Sequence, residues 1–128
     1  MPQNPKKTIR SLSNHIFRLN ISNYLSSEQF ALFCREQNID DMWDGLLRLS
    51  NDSPDLYGNE VAKNAFSMLL EQIYQVRKDE FLGILAGLLA DFSGAIQSPF
   101  IFRTIKEDLI ELGYPEKDVE DKFLKTEK

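Results

Sequence analysis

The sequence predicts an all-α protein, a compact bundle of six or seven helices around a central helical hairpin at about 60–77 and 80–92. Three observations predict this class. Apolar residues recur at spacings of three and four along most of the chain, as they do on one face of a helix. No segment of five or more residues alternates with the period of two that indicates a strand. Helix start and stop signals separate the periodic segments.

The length and composition indicate one globular domain. A chain of 128 residues, 42% apolar and 27% charged, has the size and composition of a single folded unit rather than of a disordered segment. We place this domain at 8–124, with tails at 1–7 and 125–128. The proline-containing start and the charged end have little apolar surface to bury, which is typical of terminal tails.

The first two predicted helices have recognisable starts. Thr8 is of a residue type that caps helices, and an apolar stripe follows it at spacings of three and four. After a linker at 20–25, Ser26 and Gln29 have the spacing of a capping box, which opens the second helix.

The next starts lead to the centre of the fold. Asp40 can cap a third helix, which ends at a loop over 50–59. Asn59 and Asp79 cap the two helices of the hairpin, and the short connection between these helices favours an antiparallel arrangement.

The second hairpin helix includes the segment 81–92, FLGILAGLLADF, in which Asp91 is the one charged residue. A helix that is apolar on every side is buried on every side. Twelve residues are too few to cross a bilayer, which needs roughly 20. Two further helices follow, from Pro99 to the glycine stop at Gly113 and then to 124.

The residues that carry reactive chemistry are few. The single cysteine, Cys34, cannot form an internal disulfide, and one cysteine with one histidine cannot build a Cys/His zinc site. We expect Cys34 to be a small core residue. The start of the chain has no apolar run of the signal-peptide type, and together these features predict a cytoplasmic protein.

Charge is distributed unevenly. Residues 1–20 contain four basic residues and no acid, whereas acids outnumber lysines by eight to five from Lys106 to the end. We expect these two ends to attract each other. The net charge of −5 argues against nucleic acid as a partner.

Two acidic pairs are spaced for one cation. Asp40 with Asp44, and Glu107 with Glu111, are four positions apart on predicted helices. Because these carboxylates lie at a helix start or opposite an apolar stripe, we expect a solvated face and predict neither a metal nor a cofactor.

One spacing resembles a nuclease signature. Arg10 and His15 form an R-x4-H motif, which resembles the R-x4-6-H signature of HEPN-type ribonucleases, a helical family. The resemblance implies that His15 performs acid–base catalysis and that Arg10 steadies a phosphate.

Large apolar side chains outside the predicted stripes indicate a protein interface. Phe100 and Ile110 lie about 140° from the main stripe of their helix, so they face a partner unless the last helix covers them. Aromatic residues of this kind are typical interface anchors. The predicted partner-binding residues are Phe100, Ile110, Trp43, Tyr57 and Tyr114.

The leading hypothesis is therefore a non-enzymatic protein–protein interaction module: an adaptor, a regulator, or a small acidic immunity or inhibitor-type protein whose partner has a basic surface. The alternatives are the HEPN-like ribonuclease that uses Arg10 and His15, and a homodimeric structural module. Neither nucleic acid nor a membrane is expected as a partner.

Overall fold

A computed structural model describes residues 5–18, 21–92 and 99–125, and it describes their side chains except those of 59, 99–102 and 123–125. Its helices are α1 (Pro5–Phe17), α2 (Ser22–Leu25), α3 (Glu28–Glu36), α4 (Asp40–Asn51), α5 (Asn59–Val76), α6 (Lys78–Phe92), α7 (Pro99–Glu111) and α8 (Glu116–Lys125). The described residues contain no strand, so the all-α prediction is confirmed.

The first helix begins earlier than predicted. α1 starts at Pro5 rather than Thr8, because the fixed φ of proline suits the first position of a helix and its missing N–H is not needed there. The predicted stripe is confirmed, since Ile9, Leu12 and Ile16 are almost fully buried. These residues face the core, and α1 packs against both α5 and α7.

The predicted linker at 20–25 contains the short helix α2, which raises the helix count to eight within the described residues. A single turn is too short to display helical periodicity in the sequence. It buries Tyr24 and Leu25, and Tyr24 donates a hydrogen bond of 2.5 Å to Asp91 in α6.

The cap of α3 is Ser27 rather than the predicted Ser26. Ser27 Oγ accepts a hydrogen bond from the backbone N–H of Phe30 at 3.2 Å. Ser26 instead donates to the backbone carbonyls of Ser22 and Asn23, the first two residues of α2. Gln29, the other half of the predicted capping box, donates to the backbone carbonyl of Asp91 at 2.6 Å and so ties α3 to α6.

Two other predicted caps lie one position inside their helices. α4 begins at Asp40, and Asp40 and Asp41 occupy its first turn. Their negative charges interact favourably with the positive end of the helix dipole there. α5 begins at Asn59 after Gly58, whose φ of 55° lies in the left-handed region that glycine adopts easily.

The helices α5 and α6 form the predicted centre of the bundle. A single residue, Arg77, separates them, and Tyr74 meets Phe81 across the junction with ring centroids 5.6 Å apart. α5 also packs against α1, α2 and α4, whereas α6 also packs against α3 and α8. A Cβ atom at Gly87 would lie 3.4 Å from the Phe33 ring, so the small residue of α6 allows α3 to approach closely.

The predicted glycine stop after α7 is confirmed in atomic detail. The N–H of Gly113 donates to the carbonyl of Ile110 at 2.9 Å, and the N–H of Tyr114 donates to that of Leu109 at 3.2 Å. This pair of hydrogen bonds is the Schellman motif, and Gly113 supplies its left-handed residue with a φ of 111°. The motif fixes the direction in which α8 leaves α7.

None of the helices described is both long enough and apolar enough to cross a membrane.

Candidate functional site

The predicted interface residue Trp43 lies in the core instead. Its side chain is 6% exposed, and its ring meets Phe30 edge-on with centroids 5.2 Å apart. The prediction that Trp43 lies outside the core is therefore wrong, because α3 packs over this side of α4. Trp43 lines a groove formed by α3, α4 and the end of α2, together with Leu25, Ala31 and Leu47.

Two other predicted interface residues are accessible. Tyr57, in the segment between α4 and α5, is 74% exposed, and Ile110 on α7 is 38% exposed. The last helix therefore leaves much of Ile110 uncovered. Phe100 belongs to α7, but its side chain lies outside the described residues.

Tyr114 is half-buried and firmly held. Its hydroxyl donates a hydrogen bond of 3.0 Å to the backbone carbonyl of Lys78, and its ring stacks on Phe81 at an interplanar angle of 17°. The neighbouring Tyr74 donates to the carbonyl of Leu112 at 3.1 Å. These two hydrogen bonds join the α5–α6 junction to the α7–α8 turn.

The Tyr114 ring forms part of a groove between the first turn of α6 and α8. The groove has a volume of about 490 Å³. Leu82 and Tyr114 give it an apolar floor, and charged side chains surround that floor. The residues that line the groove are Lys78, Asp79, Leu82, Tyr114, Asp118, Asp121 and Lys122.

The carboxylates of this groove have no cationic partner among the described side chains. None of Asp79, Asp118 and Asp121 forms a salt bridge with a described residue. The two lysines lie elsewhere: Lys78 Nζ lies over the Tyr74 ring, 5.1 Å from its centroid, and Lys122 Nζ lies near Gly83 of α6, 3.8 Å from the position that a Cβ atom would occupy there. Three aspartates and two lysines line the groove, so its net charge is −1, and none of its carboxylates is held in a salt bridge with a described side chain.

The charge of Asp79 affects Tyr114 in the floor of the groove. Burial raises the pKa of the Tyr114 hydroxyl above its ordinary value, and the neighbouring Tyr74 and Asp79 side chains raise the pKa further. Tyr114 therefore stays neutral at physiological pH and acts as a hydrogen-bond donor to Lys78.

The sequence did not predict this acidic groove. Asp79 precedes the apolar part of α6, and Asp118 and Asp121 lie three positions apart on α8, on a different side from the buried Val119. The spacing of Asp118 and Asp121 was the available signal. Their proximity to Asp79 depends on the contact between α6 and α8, which no local pattern reveals.

The structure does not bring Arg10 and His15 together. Because they are five positions apart, they lie about 140° apart around α1. Arg10 is exposed and faces a groove between α1 and α5, whereas His15 Nδ1 lies 2.7 Å from Asp108 Oδ2 on α7. The two residues therefore point to different surfaces of the helix.

The acids of α7 and the polar side chains of α1 meet at the interface of these helices. Thr8 donates to Glu111 at 2.9 Å, and Ser11 and His15 contact Asp108. Burial raises the pKa of Asp108, and the hydrogen bond from His15 partly offsets that rise. α1 and the acidic face of α7 are thus in contact through Thr8, Ser11 and His15, and the attraction expected between the four basic residues of 1–20 and the acidic end stays a prediction.

The remaining candidate ligands do not form a metal site. The described residues contain no group of three or more His, Cys, Asp or Glu side chains that could hold a metal ion. Cys34 is buried, as predicted. Burial, followed by the charges of Asp40 and Asp44, raises the pKa of its thiol to about 12.

Comparison of the chain with protein-family models, with curated proteins and with solved structures finds no match.

Proposed function

We propose that the protein is a non-enzymatic interaction module, of the adaptor, regulator or inhibitor type, and that it binds a basic segment of a partner protein at the α6–α8 groove. One observation carries this proposal: Asp79, Asp118 and Asp121 surround an apolar floor without a cationic partner among the described side chains.

The chemistry of the groove suits lysine and arginine side chains. Their aliphatic stems can pack on Leu82 and on the ring of Tyr114, while the charged ends reach the carboxylates. The face of a tyrosine ring also attracts a cation. A volume of about 490 Å³ accommodates one or two such side chains rather than a whole helix.

The overall charge supports the same kind of partner. A net charge of −5 raises the local concentration of a basic protein and accelerates its encounter with the groove. Because this attraction acts through solvent, the affinity should fall as the salt concentration rises.

Selection of a displayed peptide library against the purified protein, followed by fluorescence anisotropy, tests the proposal. The selected peptides should be rich in lysine or arginine. Asp121→Lys should weaken their binding by at least about tenfold, which corresponds to about 1.4 kcal/mol. Asp55→Lys makes the same charge change at an exposed position outside the groove, so it is the matched control.

Equal losses in the two variants would show a general charge effect and would contradict a specific site. Unchanged binding in Asp121→Lys would place the binding surface elsewhere, and Ile110→Asp or Tyr57→Ala would then test the other exposed residues.

The ribonuclease alternative rests on a narrower observation. Asp108 Oδ2 lies within hydrogen-bond distance of His15 Nδ1, and a carboxylate orients a catalytic histidine in this way in enzymes with a catalytic triad. Arg10, however, faces another groove. Undiminished RNA cleavage by pure His15→Ala protein would show that His15 does not catalyse the reaction and would contradict the HEPN-like alternative.

The homodimer alternative requires a shared apolar surface. The exposed large hydrophobic side chains Leu32, Leu49, Val76 and Ile110 lie on four different helices. Light scattering at tens of micromolar protein distinguishes a dimer from a monomer, and a monomer would contradict this alternative.

A further inference from the structure

We propose that the groove between α1 and α5 binds a small phosphorylated polyol, such as a sugar phosphate. The groove has a volume of about 340 Å³ and is lined by Arg10, Asn14, Leu56, Glu60, Lys63 and Ser67. Its helices differ from those of the acidic groove, so this proposal does not depend on the proposed function.

Two cations from separate helices line the groove. Arg10 comes from α1, which contains three basic residues besides His15 and no acid, and Lys63 comes from α5. Neither cation forms a salt bridge with a described side chain, although Glu60 lines the same groove. The positive charge of Arg10 and Lys63 is therefore available to an anion.

Neutral donors complete the surroundings of an oxyanion. The Asn14 amide and the Ser67 hydroxyl line the groove and make no hydrogen bond to a described residue. Asn64, beside them, instead donates to Ser50 Oγ at 3.0 Å and so fixes the groove wall. A guanidinium, an ammonium, an amide and a hydroxyl together match the several acceptor oxygens of a phosphate group.

The other lining groups select the rest of the ligand. Glu60 accepts hydrogen bonds from hydroxyl groups and repels a second phosphate, which disfavours a polyanion such as RNA. None of the described side chains that line the groove is aromatic, so they offer no stacking surface for a nucleotide base. The volume of about 340 Å³ lies at the lower end of the range for small-molecule sites. A compact molecule with one phosphate and several hydroxyls satisfies all three conditions.

Isothermal titration calorimetry with four probes tests the inference: glucose 6-phosphate, glucose, inorganic phosphate and a short single-stranded RNA. Glucose 6-phosphate should bind saturably and more tightly than the other three. Arg10→Gln and Lys63→Gln should each weaken it by about tenfold. Lys6→Gln removes an exposed charge of α1 outside the groove and should leave the affinity unchanged. Circular dichroism checks that every variant is folded.

A further variant distinguishes the contribution of the phosphate group to binding from that of the hydroxyl groups. Glu60→Gln should strengthen the binding of inorganic phosphate, because it removes a negative charge. It should therefore reduce the ratio of the affinity for glucose 6-phosphate to the affinity for inorganic phosphate. Inorganic phosphate that bound wild-type protein as tightly as glucose 6-phosphate would overturn the polyol assignment. Tighter binding of RNA, or no binding of any probe at millimolar concentration, would overturn the site itself.

Discussion

His15 Nδ1 lies 2.7 Å from Asp108 Oδ2, and this contact joins α1 to α7 across 93 positions of the chain. Both side chains are mostly shielded, with exposures of 20% and 14%. The contact lies beside the hydrogen bond from Thr8 to Glu111, so polar groups line one side of an interface whose centre is apolar. We expect this polar contact to help fix the register of the two helices.

The burial of Asp108 has a consequence for stability at acidic pH. Because the pKa of Asp108 is higher in the folded protein than its ordinary value, its contribution is full below that ordinary value and is lost as the pH rises through the folded pKa. The free energy of unfolding of wild-type protein, minus that of Asp108→Asn, should therefore decrease as the pH rises from about 4. Urea denaturation at a series of pH values measures this difference.

The control for Asp108 is Glu107→Gln, which removes an exposed carboxylate from the adjacent position of α7. It should show no comparable trend. A flat difference for Asp108→Asn would mean that the carboxylate is solvated.

Ser27 should contribute to stability through its cap. Ser27→Ala removes the acceptor for the N–H of Phe30 and should lower the free energy of unfolding by about 1 kcal/mol. Ser26→Ala is the matched control, because Ser26 makes only exposed hydrogen bonds to carbonyls, and its effect should be within about 0.5 kcal/mol. Chemical denaturation compares the two variants, and a larger loss for Ser26→Ala would reassign the cap.

Cys34 should make the fold less stable at alkaline pH. Its folded pKa of about 12 lies above the ordinary value of 9.0, so the thiol ionises first in the unfolded chain. Its contribution is therefore full below about pH 9 and is lost as the pH rises toward 12. Denaturation of wild-type and Cys34→Ala protein between these limits should show the steeper decline in the wild type.

The tyrosines with raised pKa values, Tyr24 and Tyr114, remain in both proteins, so the difference reports the thiol together with its electrostatic effect on Tyr24. Parallel curves for the two proteins would contradict the burial of Cys34.

Two glycines should respond to alanine in opposite directions. Gly45 lies inside α4 with open space around it, so Gly45→Ala should stabilise the protein by about 1 kcal/mol. Gly113 has a φ of 111°, which a side chain rarely adopts, so Gly113→Ala should destabilise it by about 1 kcal/mol or more. Melting temperatures that moved in the same direction would contradict the conformation of one of the two glycines.

Local patterns in the sequence predicted the features that depend on local chemistry. The apolar segment 81–92 and the stop at Gly113 are of this kind, because each follows from the side chains of a few adjacent residues. The cap of α3 was misplaced by one residue because Ser26 and Ser27 are equally good caps by type. The choice between them reflects tertiary structure, which uses Gln29 to bind α6.

Features that depend on contacts between distant elements were not predictable. Trp43 was expected outside the core, but α3, whose direction no sequence pattern specifies, packs over it. The acidic groove combines Asp79 with Asp118, which come together only where α6 meets α8. The angle between Arg10 and His15 follows from their spacing on α1, but the groups that each residue meets depend on how α1 packs against α5 and α7. Periodicity identifies the buried face of each helix but does not identify its neighbours.

The hydrogen bond from Tyr114 to Lys78 also affects how the acidic groove can bind. It connects the two walls of the groove, and the bond from Tyr74 to Leu112 fixes the same corner from within the core. The groove therefore has its shape before any ligand binds, so binding requires little ordering of the protein. We expect complexes formed there to assemble rapidly, and the ordering cost of binding to fall mainly on the incoming chain.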